Sequence, residues 1–159
     1  MGRVESRLAD LGITLPQVAA PVASYVPAVR TGSQVWTSGQ LPFIEGKLPQ
    51  TGKVGDGDGL VSPHHATDLA RTAVLNAVAA LQALIGDLDA VERVIKVVGF
   101  VASAPDFTGQ PGVINGASTV LSEIFGDRGI HARSAVGVAV LPLDSPVEVE
   151  IIVELAATA

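Results

Sequence analysis

The chain has 159 residues, 48% of them apolar, and no cysteine. That length makes one ordinary domain with ample core, and the missing cysteines exclude disulfides, thiolate nucleophiles and thiolate metal sites together, in keeping with a reducing cytoplasm. A net charge of −6 without any Lys/Arg cluster weighs against a nucleic-acid partner, and apolar runs broken short of the roughly 20 residues a bilayer needs predict no membrane span.

The opening MGRVESRLADLGI spaces Val4, Leu8 and Leu11 among charges, which predicts a short amphipathic helix and not a secretory signal. The Pro-punctuated LPQVAAPVASYVPAV that follows reads as an extended arm, because each proline removes a donor and biases its predecessor away from helix. Residues 1–21 thus form a helical extension and arm. Strands are expected at Val26 to Arg30 and Gln34 to Ser38, joined as a hairpin across Thr31-Gly32-Ser33. From Gly39 to Val61 no periodicity survives, and the run ending in GDGDG reads as a mobile loop.

Ser62-Pro63 supplies an N-cap and a first-turn proline, and Leu69, Ala73, Ala77, Leu81, Leu84 and Ile85 recur at helical spacing up to Gly86. RVIKVVGFVAS is short, β-branched and almost wholly apolar, the pattern of a central strand buried on both faces. Ile114, Ala117, Leu121, Ile124 and Phe125 mark a second helix ending at Gly126. SAVGVAV alternates Val136, Val138 and Val140 with the nearly bare Ala135, Gly137 and Ala139, so a backbone or ligand can approach one side closely. VEVEIIVEL puts Val147, Val149, Ile151, Val153 and Leu155 on one face and Glu148, Glu150 and Glu154 on the other. The order ββαβαββ specifies a single α+β domain over residues 1–159, with two helices on one face of a mixed sheet. With only 16% of residues charged, its surface points to self-association.

Two residues stand out chemically. Arg133 opens a strand of small side chains, where its planar fork suits a carboxylate. Glu148 opens the last strand. If these strands pair through LPLDSP, Arg133 and Glu148 lie at opposite ends of a hairpin, and meeting in one site needs a neighbouring subunit. The plain alternative is a surface arginine and an edge-strand glutamate that discourages aggregation. His64, His65 and His131 do not make a spaced ligand set, Asp56-Gly57-Asp58-Gly59 lacks the later positions of a calcium loop, and no metal is expected. Trp36 suits packing as well as a cleft, and Ser38 has no histidine placed for a triad.

SYVPAVRTGSQVWTSGQLP, INGAS and HARSAVGVAVLPLDSPVEVEIIVELA together resemble the three signature blocks of the YjgF/RidA family of reactive-intermediate deaminases, also labelled endoribonuclease L-PSP. The resemblance runs from about Val22 to the C-terminus, with the N-terminal helix outside it. It implies a chorismate-mutase-like fold, a barrel-like homotrimer with clefts between subunits, and hydrolysis of reactive 2-imino or enamine acids to 2-keto acids and ammonia without a cofactor. By the same resemblance Arg133 clamps the substrate carboxylate and Glu148 positions or activates water. Tyr25, Ser38, Gly39 and Asn115 line the cleft, and Ala135 contributes its backbone where many members carry cysteine. Gly137 replaces a frequent glutamate, and the chain is longer than a typical member, which marks a divergent subgroup. The alternative is a non-catalytic trimer that binds a small carboxylate-bearing metabolite in a regulatory or partner-binding role.

Overall fold

The computed structural model describes residues 2–18 and 24–157. Its elements are helix α1 (Arg3–Asp10), strands β1 (Ala28–Thr31) and β2 (Gln34–Thr37), helix α2 (Pro63–Ile85), strand β3 (Val91–Ala102), helix α3 (Gln110–Phe125), and strands β4 (Ala132–Val138) and β5 (Val147–Leu155). Part of the expected arm, residues 19–23, lies outside the described residues.

The strands form one sheet in the order β1-β2-β5-β3-β4. All neighbours are antiparallel except β3 and β4, which run parallel and are joined through α3, since parallel strands need a long crossover. The anticipated hairpin of the last two strands is therefore not formed: β3 lies between β4 and β5. Sequence adjacency suggested the pairing, but Pro142–Asp144 makes a 3-10 turn, with Leu143 and Asp144 at positive φ, that carries the chain across β3.

Both long helices pack on one face. From α2 come Leu69, Ala73, Val74, Ala77 and Leu81, over the inward residues of β5, and from α3 Val113, Ile114, Ala117, Leu121 and Ile124, beside β3 and β4. The Ser62 side chain accepts a 3.2 Å hydrogen bond from the His65 amide, as the capping signal predicts. Gly116 lies where α3 meets α2, and a Cβ there would overlap the Thr67 carbonyl, so only glycine permits this approach. By length and composition α2 could cross a bilayer, yet half of its apolar window is buried inside the domain.

The other sheet face carries no helix. Pairing sets Val29, Trp36, Ile152, Val98, Phe100 and Val136 on it, together with Glu148 and Glu150. Val29, Trp36 and Val136 are 52%, 47% and 45% exposed. This corrects the expectation that β3 is buried on both faces, since its buried positions are interleaved with half-buried ones; its interior place in the sheet, between β5 and β4, is as expected. The segment from Gly39 to Val61 is irregular as expected but pinned: Val54 and Val61 enter the core, and Asn76 donates to the Leu41 and Phe43 carbonyls at 2.9 and 3.1 Å.

Helix α1 buries Val4 and Leu8, while Leu11 remains 37% exposed. Its N-terminus is capped from far along the chain: the Asp89 carboxylate accepts the Arg3 and Val4 amides at 2.6 and 2.8 Å. These bonds, the Val4 amide foremost, hold Asp89 below its ordinary value of 3.8 against the opposing effect of burial. Asp89→Ala should cost about 1 kcal/mol, the usual worth of a cap. Because the lowered acid constant stabilises the fold above the ordinary value and is lost as pH falls through the folded one, the deficit measured by denaturant unfolding at neutral pH should shrink in acid. An equal deficit at both pH values would rule out the ionised cap.

Candidate functional site

The residues singled out in the sequence fall into two separate clusters. The first lies where β2 leads into the following loop. The Ser38 amide donates to the Pro27 carbonyl at 2.8 Å and its hydroxyl donates to the Val26 carbonyl at 2.7 Å, tying this turn to the segment that carries the exposed Tyr25. Gln40 then pairs with Val149 through 2.8 and 3.0 Å backbone bonds, which lays Gly39 against Glu148. A Cβ on Gly39 would overlap the Glu148 carboxylate, so glycine is required for the carboxylate to sit there. Among the described residues the Gly39 N–H has no partner. Glu148 is half-buried, and burial first, then the charge of Glu150, raises its carboxyl above the ordinary 4.5. Burial raises Glu150 as well.

The second cluster surrounds Arg133. Its Nη1 donates to Asn115 Oδ1 at 2.8 Å and to Ser118 Oγ at 3.2 Å, and its Nη2 donates to the Pro111 carbonyl at 3.3 Å. Every acceptor is neutral. The only ion pair among the described residues joins Arg71 to Glu123 at 2.9 Å, so the Arg133 charge is left without a counter-ion, and its Nε–H and one Nη2–H remain for a ligand. Asn115 is exposed and, with Oδ1 turned to the arginine, keeps its amide donors free. Ala135 shares the Arg133 side of β4 and packs partly against the core. The bare side of β4 is approached by α3: Gln110 Nε2 lies 2.7 Å from where a Cβ on Gly137 would stand.

The clusters do not meet within one chain. Arg133 projects to the helix side of the sheet, whereas Glu148 is level with Phe100 and Val136 on the open side. Two strand spacings and three residues of rise separate their Cα atoms by on the order of 14 Å. A cavity of about 370 Å³ lies elsewhere, in the seam between α1 and the end of α3, lined by Arg3, Arg7, Phe125 and Arg128; Asp89 stands close enough to Arg3 and Arg128 to feel both charges.

Two members of the Arg133 cluster escaped the sequence reading. Ser118 lies one helical turn beyond Asn115, a spacing that shares a helix face, and His131 lies two residues before Arg133, on the same side of the chain. The histidine, dismissed as a metal ligand, hydrogen-bonds Ser118 at 2.9 Å. Among the described residues no three of His, Asp and Glu converge as a metal site.

Residues 5–155 match the family described as "YjgF/chorismate mutase-like, putative endoribonuclease". Protein TCP17 of Trypanosoma cruzi is 46% identical over 155 residues, spanning 97% of this chain and 95% of that protein. A crystal structure from Shewanella oneidensis superposes with a TM-score of 0.91 at 36% identity, over 97% of this chain and 100% of the other. E. coli TdcF, solved with bound serine, gives a TM-score of 0.62 at 26% identity, over 88% of this chain and 94% of the other. The match begins inside α1, so the N-terminal helix falls within the likeness and not outside it, as the sequence motifs had suggested. The α+β architecture is the chorismate-mutase-like one, and this chain belongs to the YjgF family.

Proposed function

We propose that the chain works as a homotrimer that hydrolyses small 2-imino acids to 2-keto acids and ammonia in clefts between subunits. The observation that carries the reading is Arg133 itself: a half-buried guanidinium held by three neutral acceptors, with its charge and two N–H groups unspent. A carboxylate-bearing ligand is its natural counterpart. The bound serine of TdcF, a small molecule with a carboxylate beside a nitrogen-bearing carbon, is of the same chemical kind.

The rest follows from the division across the sheet. One subunit supplies Arg133 and Asn115, and its neighbour supplies Tyr25, Ser38, Gly39 and Glu148. The apolar open face of Val29, Trp36, Phe100 and Val136 is what subunits bury when they assemble. In such a cleft Arg133 grips the carboxylate and Asn115 donates to the substrate. Glu148 takes a proton from water as the water oxygen attacks the electrophilic C2 and passes it to nitrogen, then moves the C2 hydroxyl proton to that nitrogen as the C–N bond breaks, so that ammonia leaves and the keto group forms. A carboxyl raised by burial suits proton carriage better than an ordinary one, while the unpaired Gly39 N–H offers a donor to developing charge. No step calls for a cofactor. The net charge of −6 and the isolation of Arg133 from other cations weigh against an RNA backbone as ligand.

The decisive experiment generates an imino acid with an amino-acid oxidase or a dehydratase and follows keto-acid release. Wild type should accelerate it; Arg133→Ala should lose about a hundredfold in kcat/KM, and Glu148→Gln about a hundredfold in kcat while still binding a 2-keto acid. A folded protein that binds the keto acid through Arg133 but accelerates nothing, with Glu148→Gln unchanged, is instead the carboxylate-binding trimer. A second outcome concerns pH. Since burial raises Glu150 above 4.5, its ionisation is disfavoured in the fold, and its favourable contribution fades as pH rises through the raised value. Glu150→Gln should therefore melt higher than wild type at pH 7 or above and lose that advantage near pH 4; a gap that is constant with pH would contradict it.

A further inference from the structure

The donors that Arg133 keeps free are set by a chain of hydrogen bonds behind it. We infer that Ser118 and His131 are positioning residues that fix which edge of the Arg133 guanidinium a ligand carboxylate meets; this rests on the reading of Arg133 as the carboxylate anchor. A guanidinium only donates, so Ser118 Oγ, 3.2 Å from Nη1, accepts with a lone pair, and its single hydrogen must go elsewhere. The acceptor within reach is His131 Nε2 at 2.9 Å. His131 Nδ1 stands 2.6 Å from the Gly129 carbonyl, which only accepts, so the ring hydrogen is on Nδ1 and Nε2 carries the lone pair. With the ring neutral every direction is then set: Arg133 donates to Ser118, Ser118 to His131, and His131 to the Gly129 backbone. The opposite tautomer would set two lone pairs against each other at Gly129.

The relay has one consequence for the ligand. Both Nη1 hydrogens are consumed, by Asn115 and Ser118, and one Nη2 hydrogen by Pro111, leaving Nε–H and one Nη2–H. Losing Ser118, or the lone pair that orients its hydroxyl, frees an Nη1 hydrogen and lets the guanidinium turn about its terminal bonds, so the binding orientation becomes one of several. His131 itself is a hydroxyl and a guanidinium away from the ligand, and its Nδ1 ends on a carbonyl, so it holds the anchor and carries no proton to the reaction.

The test compares Ser118→Ala, His131→Leu and His131→Gln with wild type and Arg133→Ala. It measures calorimetric affinity for a small 2-keto acid, steady-state constants on a generated imino acid, and thermal unfolding. Ser118→Ala and His131→Leu should each weaken keto-acid binding and raise KM about five- to tenfold, the worth of one buried hydrogen bond, with kcat within about twofold, the mark of lost uniform binding. The double variant should be no worse than either single one. Glutamine, whose Oε1 can accept where Nε2 did, should restore most of the affinity. If Arg133→Ala abolishes binding while Ser118→Ala and His131→Leu change only the melting temperature, the relay is structural and the inference is overturned alone. If Arg133→Ala leaves binding and KM unchanged, the anchor reading falls and the relay falls with it.

Discussion

A five-stranded sheet with helices on only one side imposes the central constraint on this chain, because strand alternation then sorts every side chain into a covered or an uncovered population. On β5 it sends Val147, Val149, Ile151, Val153 and Leu155 under the helices and Glu148 and Glu150 to the open face. On β4 it sends Arg133 to the helix side, where α3 receives it, and Val136 to the open side. The carboxylate anchor and the proton carrier of the proposed reaction are thus parted by the sheet itself. No rotamer change within one chain reunites them, since that would take Arg133 through a hydrogen-bonded strand. The exposed tryptophan and valines of the open face and the division of the polar groups are both features that the proposed assembly of subunits would resolve.

The electrostatic character of both half-sites follows from the scarcity of charge. Arg133 is surrounded by Asn115, Ser118 and the Pro111 carbonyl, none of which can neutralise it. A carboxylate arriving from solvent therefore meets an unspent cation in surroundings poor in competing charge, where a charge-assisted hydrogen bond counts for more. On the other face, burial desolvates Glu148 and Glu150, the charge of Glu150 adds to the effect on Glu148, and both acid constants rise. Each half-site is left incomplete in a way that the other could satisfy.

What was legible in the sequence was whatever depends on short-range periodicity. The 3.6-residue spacing in α2 and α3 and the strict alternation in β5 fixed those elements and the face each buries, and the family motifs pointed to Arg133 and Glu148 as residues of the proposed site. Relations between elements were hidden. The β4–β5 hairpin was inferred from adjacency, yet β3, some forty residues earlier in the chain, takes the place between them, and nothing in LPLDSP reveals this. The cap of α1 comes from Asp89, a separation of 86 residues from Arg3. His131 looked like a failed metal ligand because its partner, Ser118, lies in the middle of a helix and becomes a neighbour only after α3 crosses from β3 to β4.

That crossover explains why β4 needs a face of small side chains. The amide of Gln110 settles over Gly137, held by the Phe107 carbonyl at 2.7 Å and Ser103 Oγ at 3.1 Å, and seats the first turn of α3 against the ends of β3 and β4. The next residue, Pro111, offers its carbonyl to Arg133, and Asn115 and Ser118 follow one and two turns on. A side chain at Gly137 would meet the far end of the Gln110 side chain and the Ser103 hydroxyl, so the amide would have to leave its two acceptors, while Pro111, Asn115 and Ser118 stay together on one helix. The bareness of β4, which in the sequence reads as room for a ligand, is here occupied by the protein's own amide. Its contribution is room for the amide that ties the first turn of α3 to Ser103, at the end of β3.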